Sequence, residues 1–112
     1  MTDIKQISPN ELEALLNEKK ALLIDVRDNK EHLAEAIPGA TNIPMAELAL
    51  NIDRLNSTNA SIVLQCQSGK RSMMACNELL KLGLKSTLWN LEGGILAWKA
   101  QQLPTQPGNL SK

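Results

Sequence analysis

The sequence contains no phenylalanine and no tyrosine, and it has only two cysteines and one histidine. It also lacks an excess of charge of either sign, because 12 basic and 12 acidic side chains give a formal net charge of zero. This balance gives no reason to expect a nucleic acid or a membrane surface as a partner. No apolar run approaches the length that crosses a bilayer. The composition is that of an ordinary globular protein.

The first five residues lack the basic region and the apolar core of a secretory signal. We therefore expect a cytoplasmic protein in which both cysteines are free thiols. A length of 112 residues suits one domain with a single core. We predict this domain at residues 1–104, followed by a flexible tail at residues 105–112 that contains Pro107 and Gly108.

Short apolar runs alternate with helix-like segments along the chain. Strands are predicted at residues 4–7, 21–24, 61–65 and 87–89. Helices are predicted at residues 9–20, 30–35, 45–50, 73–82 and 95–102. This alternation indicates an α/β domain with a mostly parallel sheet flanked by helices. Apolar residues cover so much of the helix at 73–82 that we expect it to lie well inside the domain.

The start of the first helix carries the clearest local signal in the chain. Ser8 is a good N-cap residue, Pro9 suits the first helical position, and Glu11 completes a capping box. Ile7 and Leu12 occupy the two positions of a hydrophobic staple. These signals predict a helix that begins at residue 9.

The chemistry of the chain centres on the stretch Cys66-Gln67-Ser68-Gly69-Lys70-Arg71-Ser72, which lies between a predicted buried strand and a helix. In this arrangement the N–H groups of the loop and of the helix start favour negative charge in one small space. The two adjacent cations add positive charge, so the pKa of the Cys66 thiol should lie below its ordinary value. A half-buried structural cysteine is the alternative, but the polar loop, its glycine and its cations favour a reactive thiol.

Charged groups also follow the first buried strand of the predicted sheet. Ligands bind beyond the carboxyl ends of parallel strands, so this strand end, the cysteine loop and residues 90–94 point to one site. Asp25, Arg27 and Glu31 could form an acid–base cluster, but an ion-pair network that braces the loop is the better interpretation. Arg71 either binds substrate anions or fixes the loop through Glu31. Lys70 is expected to be exposed at the loop tip, where it would attract anions.

Four segments, in this order along the chain, resemble a rhodanese domain, the sulfurtransferase family. They are residues 23–27 with Glu31, residues 37–44, residues 66–72, and residues 90–95 with Trp98. The resemblance implies a three-layer α/β sandwich with a five-stranded, mostly parallel sheet. It also implies that Cys66 carries a persulfide, and that the loop of Gln67, Ser68, Gly69, Lys70, Arg71 and Ser72 surrounds it.

In such a protein sulfane sulfur passes from thiosulfate, a polysulfide or a persulfide, through Cys66, to a thiol, cyanide or a protein acceptor. We expect no metal, no cofactor and a monomer. Two-domain thiosulfate enzymes place cations directly after the cysteine, whereas this chain has Gln67 and Ser68. Thiosulfate is therefore expected to be a poor donor. An alternative is a sulfur-relay or binding module that acts on a partner protein with little small-molecule turnover.

A phosphatase-like enzyme is a third hypothesis, because related folds use a cysteine, a loop and an arginine. Those loops place five residues between the cysteine and the arginine. Here Gln67 to Lys70 supply only four. A shorter loop encloses a smaller volume, which suits a sulfur atom better than a tetrahedral phosphate.

Several other residues have structural interpretations. His32 is expected to be a partly exposed replacement for an aromatic residue, without a catalytic role. Cys76 is expected to be a small core residue. Trp89 and Trp98 are expected to be core anchors, and Gly93-Gly94 is expected to permit a tight approach beside the loop.

Overall fold

The computed structural model describes residues 4–110. The strands are β1 (Ile4–Ile7), β2 (Ala21–Asp25), β3 (Thr41–Asn42), β4 (Ser61–Gln65) and β5 (Leu88–Leu91). The α-helices are α1 (Pro9–Asn17), α2 (Asn29–Ala34), α3 (Ile52–Asn56), α4 (Lys70–Lys81) and α5 (Gly94–Ala100). A 3₁₀ helix (Met45–Asn51) precedes α3. None of the helices in the described part is long and apolar enough to cross a membrane.

The strands form one five-stranded sheet in the order β1-β5-β4-β2-β3, and every pair is parallel. The predicted α/β fold with a parallel sheet is therefore confirmed. Central strand β4 is buried on both faces: Ile62 and Leu64 pack against the 3₁₀ helix, α3 and α4, whereas Val63 packs against α1 and α5. This two-sided burial explains the unbroken apolar runs in the sequence.

The predicted start of α1 is confirmed. The Glu11 N–H donates to Ser8 Oγ at 3.2 Å, and the Ser8 N–H donates to Glu11 Oε1 at 3.0 Å. Leu12, one turn further, is completely buried. The helix ends at Asn17, two or three residues earlier than predicted, because Lys19 adopts a positive φ of 57°.

The structure corrects the prediction for α4. The helix begins at Lys70 rather than at residue 73, and only one of its faces lies in the core. Met74 is 62% exposed and Leu82 is 44% exposed, so the apolar stripe is narrower than the sequence suggests. Methionine and leucine are tolerated at the surface, and apolar periodicity therefore overestimates burial here.

The two tryptophans also differ from each other. Trp98 is buried in the core between α1, α5 and the sheet, as predicted. Trp89, expected to be a core anchor as well, is only partly buried and packs against this core. The Lys5 ammonium group lies 5.5 Å from the centre of a Trp89 ring.

The segment after α5 contacts the domain along its described part. Gln106 and Ala36 exchange two backbone hydrogen bonds of 2.9 and 2.7 Å, and the Gly108 N–H donates to the His32 carbonyl. The Trp98 indole N–H donates to the Pro104 carbonyl at 2.8 Å. The segment predicted as a flexible tail at 105–112 thus has backbone partners as far as Gly108, which its proline and glycine do not reveal. Residues 1–3 and 111–112 of the predicted domain and tail lie outside the described residues.

The capping box of α1 yields a stability prediction. Ser8→Ala removes the side-chain acceptor for the Glu11 N–H, and we expect a loss of about 1 kcal/mol in the free energy of unfolding. Urea denaturation measures this loss. Ser86→Ala is the matched control, since Ser86 makes no side-chain hydrogen bond to any residue in 4–110. An equal effect of both substitutions would contradict the assigned cap.

Candidate active site

Strand β4 delivers Cys66 to the carboxyl edge of the sheet, where the chain turns into α4. The Cys66 side chain is buried, and three donors surround its sulfur. The Gly69 N–H lies 3.1 Å from Cys66 Sγ, the Ser72 N–H 3.3 Å, and Ser72 Oγ 3.4 Å. Gly69 caps the helix with a φ of 97°, a conformation that glycine adopts without strain. The predicted cysteine loop is thus a shell of donors around one sulfur atom.

Two opposing effects act on the pKa of the Cys66 thiol. Burial raises this pKa, but hydrogen bonds from the Ser72 hydroxyl and from the N–H groups of Ser72, Gly69 and Ser68 lower it by more. The net result is a pKa below the ordinary thiol value. Cys76 in α4 has no such donors to offset burial, which raises the pKa of its thiol to about 12. The direction for Cys66 agrees with the sequence prediction, and Cys76 is buried in the core, as expected.

The start of α5 determines how the cysteine loop is oriented. The Ile95 N–H donates to the Cys66 carbonyl at 3.0 Å, and the Leu96 N–H donates to the Gln67 carbonyl at 3.2 Å. A Cβ atom at Gly94 would lie 2.4 Å from the Gln67 carbonyl oxygen, so only glycine allows this approach. The predicted tight approach beside the loop is confirmed. Because α5 holds these carbonyls on the outside, N–H groups of the loop remain free to face the sulfur.

Arg71 is half-buried and pairs with Glu31 of α2. Its two terminal nitrogens lie 2.8 and 2.9 Å from the two carboxylate oxygens, which is a bidentate ion pair. The hydrogen bonds from Arg71 hold the pKa of the Glu31 carboxyl down at about 2, and the pair raises the pKa of Arg71. Of the two roles expected for Arg71, this contact corresponds to fixing the loop through Glu31.

Asp25, Arg27 and His32 form a separate buried cluster beside the site. Arg27 Nη2 lies 2.8 Å from Asp25 Oδ2, and His32 Nδ1 lies 2.8 Å from the same oxygen. The predicted network is therefore divided, because Glu31 pairs with Arg71 instead of joining Asp25 and Arg27. The prediction that His32 is partly exposed is wrong: its side chain is buried because it bonds Asp25 and is covered by the segment containing Gly108.

Sequence reasoning placed residues 90–94 at the same edge of the sheet but gave Asn90 no role of its own, and the structure places its side chain beside the loop. Ser72 Oγ lies 2.5 Å from Asn90 Oδ1. Asn90 Nδ2 donates to Gln6 Oε1 at 3.0 Å and to the Gly69 carbonyl at 3.3 Å. The sequence signal for these contacts is a polar residue at the end of an apolar buried strand, because a buried polar group needs a hydrogen-bond partner.

The remaining loop residues form the mouth of the site. Gln67, Ser68 and Lys70 are exposed, and the exposure of Lys70 agrees with its predicted place at the loop tip. Two neutral side chains and one cation thus face an incoming molecule. Within residues 4–110, no group of three or more histidine, cysteine, aspartate or glutamate side chains is arranged to hold a metal ion.

The Glu31–Arg71 pair predicts how acid affects the fold. The pKa of Glu31 falls from 4.5 to about 2 on folding, so the pair stabilises the protein above pH 4.5 and loses this effect as the pH falls towards 2. Glu31→Gln should therefore flatten the decline in unfolding free energy across that pH range. Glu13→Gln, which removes the same charge from α1, is the control. An unchanged acid profile for Glu31→Gln would contradict the assignment.

Comparisons with known proteins agree with this arrangement. Residues 8–101 match the Rhodanese-like domain family. A sulfurtransferase from Allochromatium vinosum is 34% identical over 90 residues, which cover 80% of this chain and 82% of that protein. The uncharacterized protein slr1261 from Synechocystis is 37% identical over 100 residues, which cover 88% of this chain and 54% of that protein.

A solved structure extends the comparison to three dimensions. The crystal structure of a thiosulfate sulfurtransferase from Pseudomonas aeruginosa superposes with a TM-score of 0.86 at 25% sequence identity. The superposition covers 95% of this chain but 21% of that one, and the chain spans about half the length of the Synechocystis relative. The three-layer sandwich implied by the four sequence segments is thereby confirmed. From residue 8 to residue 101, the chain belongs to the Rhodanese-like domain family.

Proposed function

We propose that the protein is a sulfurtransferase that moves sulfane sulfur through a persulfide on Cys66. The observation that carries this proposal is the set of donors around Cys66 Sγ: the Gly69 N–H and the N–H and hydroxyl of Ser72. Fixed hydrogen-bond donors aimed at one sulfur atom stabilise negative charge on it, which the attacking thiolate requires. Membership of the rhodanese-like family supports sulfur transfer as the reaction.

The first half-reaction loads Cys66. Its thiolate attacks the outer sulfur of a donor, either thiosulfate, a polysulfide or a persulfide, and a new S–S bond forms to Sγ. The bond between that sulfur and the rest of the donor breaks, and the leaving group departs with the electron pair, as sulfite when the donor is thiosulfate. The product, Cys66–S–S⁻, carries its charge on the outer sulfur. Nearby N–H groups of the loop would stabilise this charge.

The second half-reaction unloads the outer sulfur. A thiolate or cyanide attacks it, the acceptor becomes a persulfide or thiocyanate, and the electron pair of the broken S–S bond returns to Cys66 Sγ. A low pKa of Cys66 favours this step, because a more acidic thiol is a better leaving group. The same chemistry serves a protein thiol as acceptor, which is the relay role considered from the sequence.

The mouth of the site bears on the choice of donor. Gln67 and Ser68 are neutral and exposed, and Arg71 is already paired with Glu31, so Lys70 is left to attract an anion. We propose that thiosulfate is a poor donor for this protein, and that a polysulfide or a persulfide serves it better. We further propose a cytoplasmic monomer that needs no metal or cofactor and uses neither nucleic acid nor membrane.

Intact mass spectrometry tests the nucleophile. Thiosulfate or polysulfide should add the mass of one sulfur atom to the wild type, and cyanide or a small thiol should remove it. Cys66→Ser should lose the adduct and remain folded. Cys76→Ser is the matched control and should keep the adduct, because its thiol is buried and has a pKa of about 12. A labile sulfur on folded Cys66→Ser would refute the proposal, and an adduct that no small acceptor removes would favour the relay module.

Removal of the Lys70 charge tests whether this residue attracts anionic sulfur donors. Lys70→Ala should lower kcat/KM for thiosulfate several-fold at low ionic strength, and added salt should diminish the difference, because exposed charges are screened. Lys81→Ala is the control: it removes the same charge from the far end of α4, about 16 Å along the helix axis at the usual rise per residue. Equal losses for both variants, or a loss that salt does not change, would contradict this role.

A further inference from the structure

Asn90 lies next to the proposed nucleophile, but the two half-reactions do not use it. Its side chain is 4% exposed, at the carboxyl end of β5. It connects the Ser72 hydroxyl, which faces the sulfur, with the Gly69 carbonyl and with Gln6 on edge strand β1. A buried amide with contacts on both ends has a defined orientation, and that orientation has a chemical consequence.

The contacts determine which end of the amide faces Ser72. The Gly69 carbonyl can only accept a hydrogen bond, so the atom that faces it at 3.3 Å must be the Nδ2 donor of Asn90. Oδ1 therefore faces Ser72. An amide oxygen can only accept, so any hydrogen bond across the 2.5 Å between Oγ and Oδ1 is donated by the Ser72 hydroxyl.

The Ser72 hydroxyl has one proton and two possible acceptors. Oγ lies 2.5 Å from Asn90 Oδ1 and 3.4 Å from Cys66 Sγ. When Cys66 is a thiol, its S–H can donate to Oγ while the hydroxyl donates to Asn90, and both contacts are satisfied. When Cys66 is a thiolate, its sulfur can only accept and attracts the same proton more strongly than a neutral group does.

We propose that Asn90 is a positioning residue that tunes Cys66 by competing with its sulfur for the single proton of the Ser72 hydroxyl. As the thiolate forms, the hydroxyl turns to the sulfur and the buried Oδ1 of Asn90 loses its partner. The lost bond opposes thiolate formation, so the thiolate is less stabilised when Asn90 is present. A less stabilised thiolate is a stronger nucleophile. In the persulfide the charge lies on the outer sulfur, and the hydroxyl can return to Asn90. This last consequence rests on the proposed function, whereas the competition itself does not.

Titration of the Cys66 thiolate by its ultraviolet absorbance tests the proposal without any sulfur donor. Each variant is measured against the same variant carrying Cys66→Ser. Asn90→Leu, close to asparagine in size, should lower the Cys66 pKa by about half a unit to one unit, the effect of one neutral hydrogen bond. Ser72→Ala should raise the pKa. In the Ser72→Ala background, Asn90→Leu should change nothing further, since the contested proton is absent.

Gln6→Ala is the matched control, because it removes one of the two acceptors of Asn90 Nδ2 and keeps both the Gly69 carbonyl on Nδ2 and Ser72 on Oδ1. Its Cys66 pKa should equal that of the wild type. All variants keep Arg71 of α4, which interacts electrostatically with Cys66, and Glu31 of α2, which pairs with Arg71. The electrostatic effect of these two charges on the Cys66 pKa is therefore the same in every variant of the series.

Three outcomes would overturn the proposal. The first is an equal shift from Asn90→Leu with and without the Ser72 hydroxyl, and the second is the same shift in Gln6→Ala. The third is failure of both Asn90→Leu and the smaller Asn90→Ala to fold, which would show that Asn90 is structural. Failure of sulfur transfer is a separate result, because the titration depends only on the thiol.

Discussion

The whole site depends on one constraint: the backbone after β4 must turn its N–H groups towards Cys66 and its carbonyls away. Helix α5 imposes this orientation, because the Ile95 N–H binds the Cys66 carbonyl and Gly94 lets the two backbones meet. The N–H groups of Gly69 and Ser72 are then left to face the sulfur. Since α5 is anchored in the core through Trp98, the packing of the domain fixes the geometry of the loop.

The two cysteines show that burial alone does not determine reactivity. Both thiols are completely buried and belong to the same core cluster. Burial raises the pKa of each, yet the pKa of Cys66 falls below its ordinary value while that of Cys76 rises to about 12. The difference comes from the hydrogen-bond donors that Gly69 and Ser72 direct at one sulfur. A protein interior that would protonate a thiol becomes a site for an anion when backbone dipoles are fixed around it.

Features encoded in neighbouring residues were predicted well, whereas the contacts between distant residues were predicted only in part, as for the approach of Gly94 to the loop and the Glu31–Arg71 pair. The alternation of strands and helices and the capping box are encoded in neighbouring residues, and the loop lies within one short stretch, so they could be predicted. The burial of His32 depends on Asp25, seven residues away, and the site of Asn90 depends on Ser72, eighteen residues away. The segment at 104–108 is held by pairing with Ala36, much further along the chain. Local periodicity carries no information about such partners.

The same edge of the sheet carries a carboxylate and a thiol, and hydrogen bonding explains why chemistry is assigned to the thiol. Asp25 accepts from the backbone and side-chain nitrogens of Arg27 and contacts His32, so its oxygens are engaged within the protein. Around Cys66 the relation is reversed, because several donors converge on one small, weakly basic thiol sulfur. A neutral thiol accepts hydrogen bonds only weakly, so it does not satisfy all of these donors. The donors therefore favour the state in which the sulfur carries negative charge. The oxygens of the carboxylate cluster are thus occupied by partners within the protein, whereas the donors of the cysteine loop favour an anion on the sulfur.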